Sequence, residues 1–214
     1  KKFFISFLLV LAVAFVIGHL YREPLFDKAG RFMAPQSDDK ADAVILEGAD
    51  YIRTGFIQTG MEMLAEGKAH KMIVVIHRIA PAHRPFGING DYPAVVRQKL
   101  RDAGLKEGQF KVIVAPIRHP VTLKEAQFVL TDLAGDKISS AILVAPSFHT
   151  RRSYMAYAHA GEALNIRIYP FASFTEHRLE KWWTDQGAWR DFGTESAKLI
   201  YYLACGHLPF KFYY

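Results

Sequence analysis

Ser147, Phe148, His149, Thr150, Arg151 and Arg152 follow one another directly. An imidazole titrates near neutrality and suits general acid or base work. A guanidinium fork suits carboxylate or phosphate. Arg151 and Arg152 are neighbours, so on a helix they point about 100° apart and one of them faces the site. Ser147 stands where a strand-to-helix elbow would carry a nucleophile, but Gly-x-Ser-x-Gly is absent, which speaks against a hydrolase triad. The run before these residues, Ala141 to Ala145, is apolar throughout, as a strand buried on both faces requires. Pro146 closes it, and a helical pattern begins near Thr150. In an open α/β sheet the ligand sits just outside the carboxyl ends of the strands. That rule puts His149 and Arg152 at a binding edge as candidate catalytic residues.

Other candidates fall at corresponding places. Glu47 and Asp50 lie just past the first strand, with Arg53 one turn on. The acids suit a sugar hydroxyl, a metal or a helix cap, and Arg53 suits an anion. His77 ends the second strand. Val112 to His119 and Ile142 to His149 share a strand, Ala-Pro and a histidine, so a parallel sheet would bring His119 to the edge that carries His149. Thr122-x-x-Glu125 matches a capping box, and Glu125 is also a candidate ligand group. Ser147 completes the ligand-binding set. Glu195 and Lys198 are three apart on a helix and suit a pair with each other. His70, His159, His177 and His207 have no metal-ligand spacing, and neither His-Glu-x-x-His nor Cys-x-x-Cys occurs. Cys205 is the lone cysteine, so no metal site is assigned and no intramolecular disulfide is possible. No cofactor is indicated.

Apolar runs starting at 42–47, 71–76, 110–115, 141–145 and 166–169 alternate with helical patterns. This predicts an α/β, Rossmann-like, mainly parallel sheet of about five strands with helices on both faces. After Pro170 the pattern turns helical, through Trp182 and Trp183 to a last helix over 191–204. At the other end, Lys1 and Lys2 precede an apolar run from Phe3 to Leu20, about 18 residues or roughly 27 Å of helix. The run predicts an uncleaved transmembrane helix over 1–21, because no small-x-small site follows it. The lysines would stay cytoplasmic and the body would face the periplasm or exterior, with Tyr21 and Arg22 at the far interface. Pro24, Gly30, Pro35 and Gln36 to Lys40 predict a loop-like tether over 22–41, with Phe26, Phe32 and Met33 able to pack on the body. The α/β domain would fill 42–214. The chain has 214 residues, half of them hydrophobic, and a net charge of +6. That balance favours anionic partners such as lipid headgroups or phosphorylated substrates. Nucleic acid is not expected, because no basic-aromatic recognition module is present.

An N-terminal apolar segment, Asp42 to Leu46 followed by Gly48 and Arg53, Thr122 to Ala126, His149-Thr-Arg-Arg152 and a tail with Trp183, Glu195, Lys198 and Tyr202 occur in that order. Over residues 42 to 205 this resembles the bacterial YdcF/SanA/ElyC family of envelope-associated proteins. The turn after the first strand, Leu46 to Asp50, and the His77-Arg78-Ile79 turn depart from that family's glycine-rich pattern. The resemblance implies a Rossmann-like domain held at the bacterial inner membrane by one helix. It further implies a role in envelope, peptidoglycan or surface-polysaccharide biogenesis. A phosphorylated lipid carrier or sugar is the expected ligand class. The altered turns and the aromatic end, Pro209 to Tyr214, support an alternative: a non-catalytic subunit docked on a larger membrane-protein complex.

Overall fold

The computed structural model describes Phe7 and residues 21–49, 54–77, 91–211 and 213. Five strands form one sheet: β1 (Ala43–Ala49), β2 (Lys71–His77), β3 (Phe110–Ala115), β4 (Ser140–Pro146) and β5 (Arg167–Ser173). Every neighbouring pair is parallel, and the spatial order is β3-β2-β1-β4-β5. β1 pairs with β2 on one side and with β4 on the other, so the strand order reverses between β1 and β4. This is the topological switch point, where loops leave in opposite directions and open a crevice.

Alternate residues of the central strands feed two cores. Ile45, Ile73, Val75, Ile113 and Leu143 face one side, against helices α3 (Val121–Gly135) and α4 (Thr150–Glu162). Val44, Leu46, Val74, Ile76, Ile142 and Val144 face the other, against α1 (Thr54–Ala65) and α2 (Tyr92–Asp102). Two covered faces explain why these strands read as unbroken apolar runs. The last helix, α5 (Gln186–Ala204), contributes Ala188, Leu199 and Tyr202 to the first core. Its start is capped by Asp185, whose side chain accepts from the Ala188 amide.

β5 continues through Pro170 to Ser173, where the sequence pattern predicts helix. The difference is one of position. β5 is the edge of the sheet, and an edge strand tolerates a proline because one of its sides has no strand to bond. That outer side is met by the chain at 36–37: the Ser37 amide donates to the Pro170 carbonyl at 2.9 Å, and Gln36 Nε2 donates to Ala172 O at 2.9 Å.

The tether is docked rather than loop-like. Residues 21–33 are helical, with Pro24 and Gly30 among them. Phe26 packs on Trp182, Trp183 and Trp189 with ring centroids 5.4–5.9 Å apart, and its carbonyl accepts from Trp182 Nε1 at 2.9 Å. A side chain at Gly30 would collide with the Trp182 indole, so the helix can approach this closely only with glycine there. Met33 and Ala34 are buried. We expect Phe26→Ala to cost about 2 kcal/mol, less than a fully buried phenylalanine because the ring is half-buried. Urea unfolding checks this; no change would mean the segment is loosely attached. Among the described residues no helix is long and apolar enough to cross a membrane. The expected anchor over 1–21 lies outside them except for Phe7 and Tyr21.

Candidate functional site

A cavity of about 850 Å³ opens at the carboxyl ends of β1, β2 and β4, beside the switch point. Glu47, His77, His119, Glu125, Ser147, His149 and Arg152 all line it. Of the residues expected from sequence, Asp50 and Arg53 lie outside the described residues. A wider groove of about 1770 Å³ runs along the amino ends of β4 and β5, past Ser140 and Arg167. It is on the edge opposite to the one where a parallel sheet gathers its loops, and none of the candidates lines it.

β4 ends at Pro146, a single 3-10 turn follows over Ser147–His149, and α4 begins. Thr150 Oγ1 donates to Ser147 O at 2.7 Å and to Ala145 O at 3.2 Å, which ties the turn to the strand end. His149 is thereby fixed at the mouth of the sheet with its side chain 20% exposed. Both ring nitrogens meet carboxylates. Nε2 lies 3.0 Å from Glu47 Oε1 and 2.9 Å from Ser153 Oγ, and Nδ1 lies 3.0 Å from Glu195 Oε2. Burial and the Arg152 guanidinium, whose Nη2 lies 2.7 Å from Nδ1, work against a charge on this ring, but the Glu47 charge and the hydrogen bonds that Glu195 and Glu47 accept outweigh them, and its pKa rises to about 9. The ring is an imidazolium at neutral pH, so it is an acid in this site and not a free base.

Arg152 points inward, as the resemblance implies. Its Nε and Nη2 reach Glu195 Oε2 at 3.1 and 2.8 Å, and Nη1 donates to Thr122 Oγ1 at 2.5 Å. The fork therefore ties α4 to α3 and α5, and its face stacks on the Tyr202 ring at 5.1 Å. It serves as a clasp more than as an open anion receptor. Arg151 turns away, and its Nε donates to the Phe32 carbonyl at 2.5 Å while its guanidinium covers the Phe32 ring at 4.4 Å. Glu195 stays ionised well below the usual carboxylate range. Burial opposes this, but the hydrogen bond and charge of His149, the Arg152 charge and the Lys198 hydrogen bond prevail. Lys198 pairs with Glu195 at 2.8 Å, as their spacing predicts.

Glu125 does not close a capping box. Thr122 is already inside α3, whose cap position is Pro120, and no side chain caps that end. Instead the Glu125 carboxylate reaches across to the sheet. It accepts from the Gly48 amide at 3.2 Å and from the Tyr157 hydroxyl at 2.8 Å, and it lies 2.5 Å from His77 Nε2. Burial, followed by the Glu125 and Glu47 charges, keeps the Tyr157 phenol protonated well past its ordinary range. A Cβ at Gly48 would run into the Glu125 carboxylate, so glycine is needed where β1 shifts register between Leu46 and Ala49.

Glu47 is 6% exposed. Its Oε1 accepts from Ser153 and His149, while its buried Oε2 has no hydrogen-bond partner among the described residues. No group of three or more metal-binding side chains occurs among the described residues. Sequence reasoning missed two members of the site. Glu195 was legible as a partner of Lys198 and as part of the tail of the resemblance, not as a partner of His149 and Arg152. His177, from the segment after β5, places Nε2 2.7 Å from Ser147 Oγ, although its spacing in the chain signals nothing. Arg190 and Lys198, both exposed, stand at the cavity rim. No model of a known protein family, no curated protein and no solved structure matches the chain.

Proposed function

We propose that this chain is an envelope protein of the YdcF/SanA/ElyC type, held to the bacterial inner membrane by its N-terminal apolar run. Its cavity binds and processes an anionic, hydroxyl-bearing ligand: a phosphorylated sugar, free or lipid-linked. The observation that carries this reading is Glu47, which lines the cavity and whose buried Oε2 has no hydrogen-bond partner among the described residues. A buried acceptor without a donor costs about 1–3 kcal/mol, and a ligand hydroxyl would recover that. His149 holds the other oxygen of the same carboxylate and supplies a proton relay behind it. Arg190 and Lys198 offer the rim positive charge for a phosphate. The test is calorimetric titration with glucose 1-phosphate, with glucose and inorganic phosphate as controls that each carry one feature. The sugar phosphate should bind more tightly than either control, and Glu47→Gln should weaken it by about tenfold, the worth of one hydrogen bond to a charged group. No heat of binding with the sugar phosphate, or unchanged affinity in the variant, would reject the reading.

A second reading keeps the same anchor but assigns docking in place of chemistry. Ile200, Tyr201 and Phe210 are 65%, 56% and 78% exposed, an apolar content that suits a partner surface. Recovery of a stoichiometric complex after detergent extraction would favour it.

A further inference from the structure

We propose that Ser147 is a nucleophile activated by His177, and that the cavity hydrolyses an acyl ester carried on the ligand proposed above. The substrate assignment rests on that reading of the cavity; the reactivity of Ser147 does not.

Ser147 stands in the left-handed region, with φ at +46°, at the junction of β4 and the helical run. A non-glycine residue held there is a sharp strand-to-helix turn that lifts its side chain out of the strand. The geometry is that of an elbow, reached without the flanking glycines of the usual motif. Ser147 is 8% exposed and lines the cavity, as does His177. Ser147 Oγ and His177 Nε2 are 2.7 Å apart, a good distance for proton transfer between nucleophile and base. The His177 ring cannot swing freely. It is stacked on Phe148, with centroids 5.7 Å apart and planes 20° from parallel, and it meets Phe174 edge-on at 5.6 Å. Its side chain is 6% exposed. Asp191 Oδ2 lies 3.9 Å from the other ring nitrogen. That is beyond a hydrogen bond but close enough for the carboxylate to stabilise a proton arriving on the ring, and catalytic contacts commonly tighten when substrate binds. The three groups have the order of roles that acyl-transfer sites share: nucleophile, base, and an acid behind the base. Phe148 and His149 follow Ser147 in the first helical turn, where a helix supplies no acceptor for its amides, and the His149 imidazolium adds positive charge nearby.

The step balances with water as the only co-reactant. Ser147 Oγ attacks the ester carbonyl carbon while its proton passes to His177 Nε2. The tetrahedral intermediate collapses, the bond from carbon to the leaving oxygen breaks, and His177 returns the proton to that oxygen. Water, deprotonated by His177, then attacks the acyl-serine, and a carboxylic acid leaves as Ser147 regains its proton. The base and the acid come from the segment after β5 and from α5, and the nucleophile from the β4–α4 turn that also carries His149.

The experiment treats the folded chain with an alkyl fluorophosphonate and follows intact mass. One phosphonyl adduct should form and map to Ser147, and Ser147→Ala should abolish it. His177→Gln should slow labelling by at least about a hundredfold, the range for loss of a general base. Asp191→Asn is the milder variant if thermal melting shows that His177→Gln does not fold, and it should slow labelling by at least about tenfold. An unlabelled folded protein, an adduct that survives Ser147→Ala, or wild-type labelling rates in a folded base or acid variant would overturn the proposal. Glucose 1-phosphate titrated into Ser147→Ala separates this outcome from failure of the ligand reading. Labelling without sugar-phosphate binding leaves the nucleophile standing on a different ester, and binding without labelling removes the nucleophile alone.

Discussion

Glu195→Ala is expected to cost about 3–5 kcal/mol of stability, the range for removing one partner of a buried charge cluster. The reason is that one carboxylate oxygen answers two cations. Glu195 Oε2 accepts from Arg152 at both Nε and Nη2 and faces His149 Nδ1. The side chains of Glu195 and Arg152 are 13% and 6% exposed, so water replaces the missing anion poorly. For a chain of this length the loss corresponds to a fall in melting temperature of about 6–20 °C. Lys198→Ala is the control. Lys198 pairs with the other oxygen of the same carboxylate, but its side chain is 52% exposed, so its removal should change stability by less than about 1 kcal/mol. Urea unfolding of the three proteins at pH 7 makes the comparison. A Glu195→Ala loss no larger than that of Lys198→Ala would show that the cluster is solvated in solution.

The strands and the binding edge were legible because both follow from periodicity and chain order. Unbroken apolar runs mean two covered faces, and parallel strands send every following loop to one edge. Those two facts put His77, His119, His149 and Arg152 at one edge, and all four line the cavity there. Long-range partners were not legible in the same way. Glu195 lies 46 residues beyond His149, and the only local signal there is its spacing to Lys198, which is also real. Glu125 shows the opposite difficulty. Thr122-x-x-Glu125 fits a capping box, but a local motif cannot reveal that the helix already started at Val121 and that β1 ends within reach of the carboxylate. The helix over 21–33 was hidden by composition. Pro24 and Gly30 read as loop residues, yet both lie within the helix, and glycine at 30 is what lets the helix meet Trp182.

His149 gives the second large effect, in the pH dependence of stability. Its pKa in the folded chain is about 9, against an ordinary value of 6.5, so folding favours the protonated ring. A raised pKa stabilises the fold fully below about pH 6.5, and that contribution fades as pH rises towards 9. Each pH unit of the interval is worth about 1.4 kcal/mol; with the ring partly exposed we expect a loss of about 2–3 kcal/mol. Glu195 bounds the acid side with the opposite sign. Its pKa is lowered, so its contribution is present above the ordinary carboxylate range and is lost as pH falls below it. The cluster is therefore most stabilising between about pH 4.5 and 6.5. On the alkaline side the neutral ring is not abandoned. Arg152 Nη2 lies 2.7 Å from Nδ1, so once that nitrogen loses its proton it can accept from the guanidinium while Nε2 continues to donate to Glu47. The fold should loosen but not collapse. Position at a strand mouth alone would predict that replacing His149 leaves folding untouched; its two carboxylate partners predict a cost instead. His149→Gln keeps a polar side chain there and removes the titration. Urea midpoints measured from pH 6 to 9.5 should fall for the wild type and stay nearly level for the variant over the same range. Parallel declines would mean that His149 is not the group whose proton the folded chain retains.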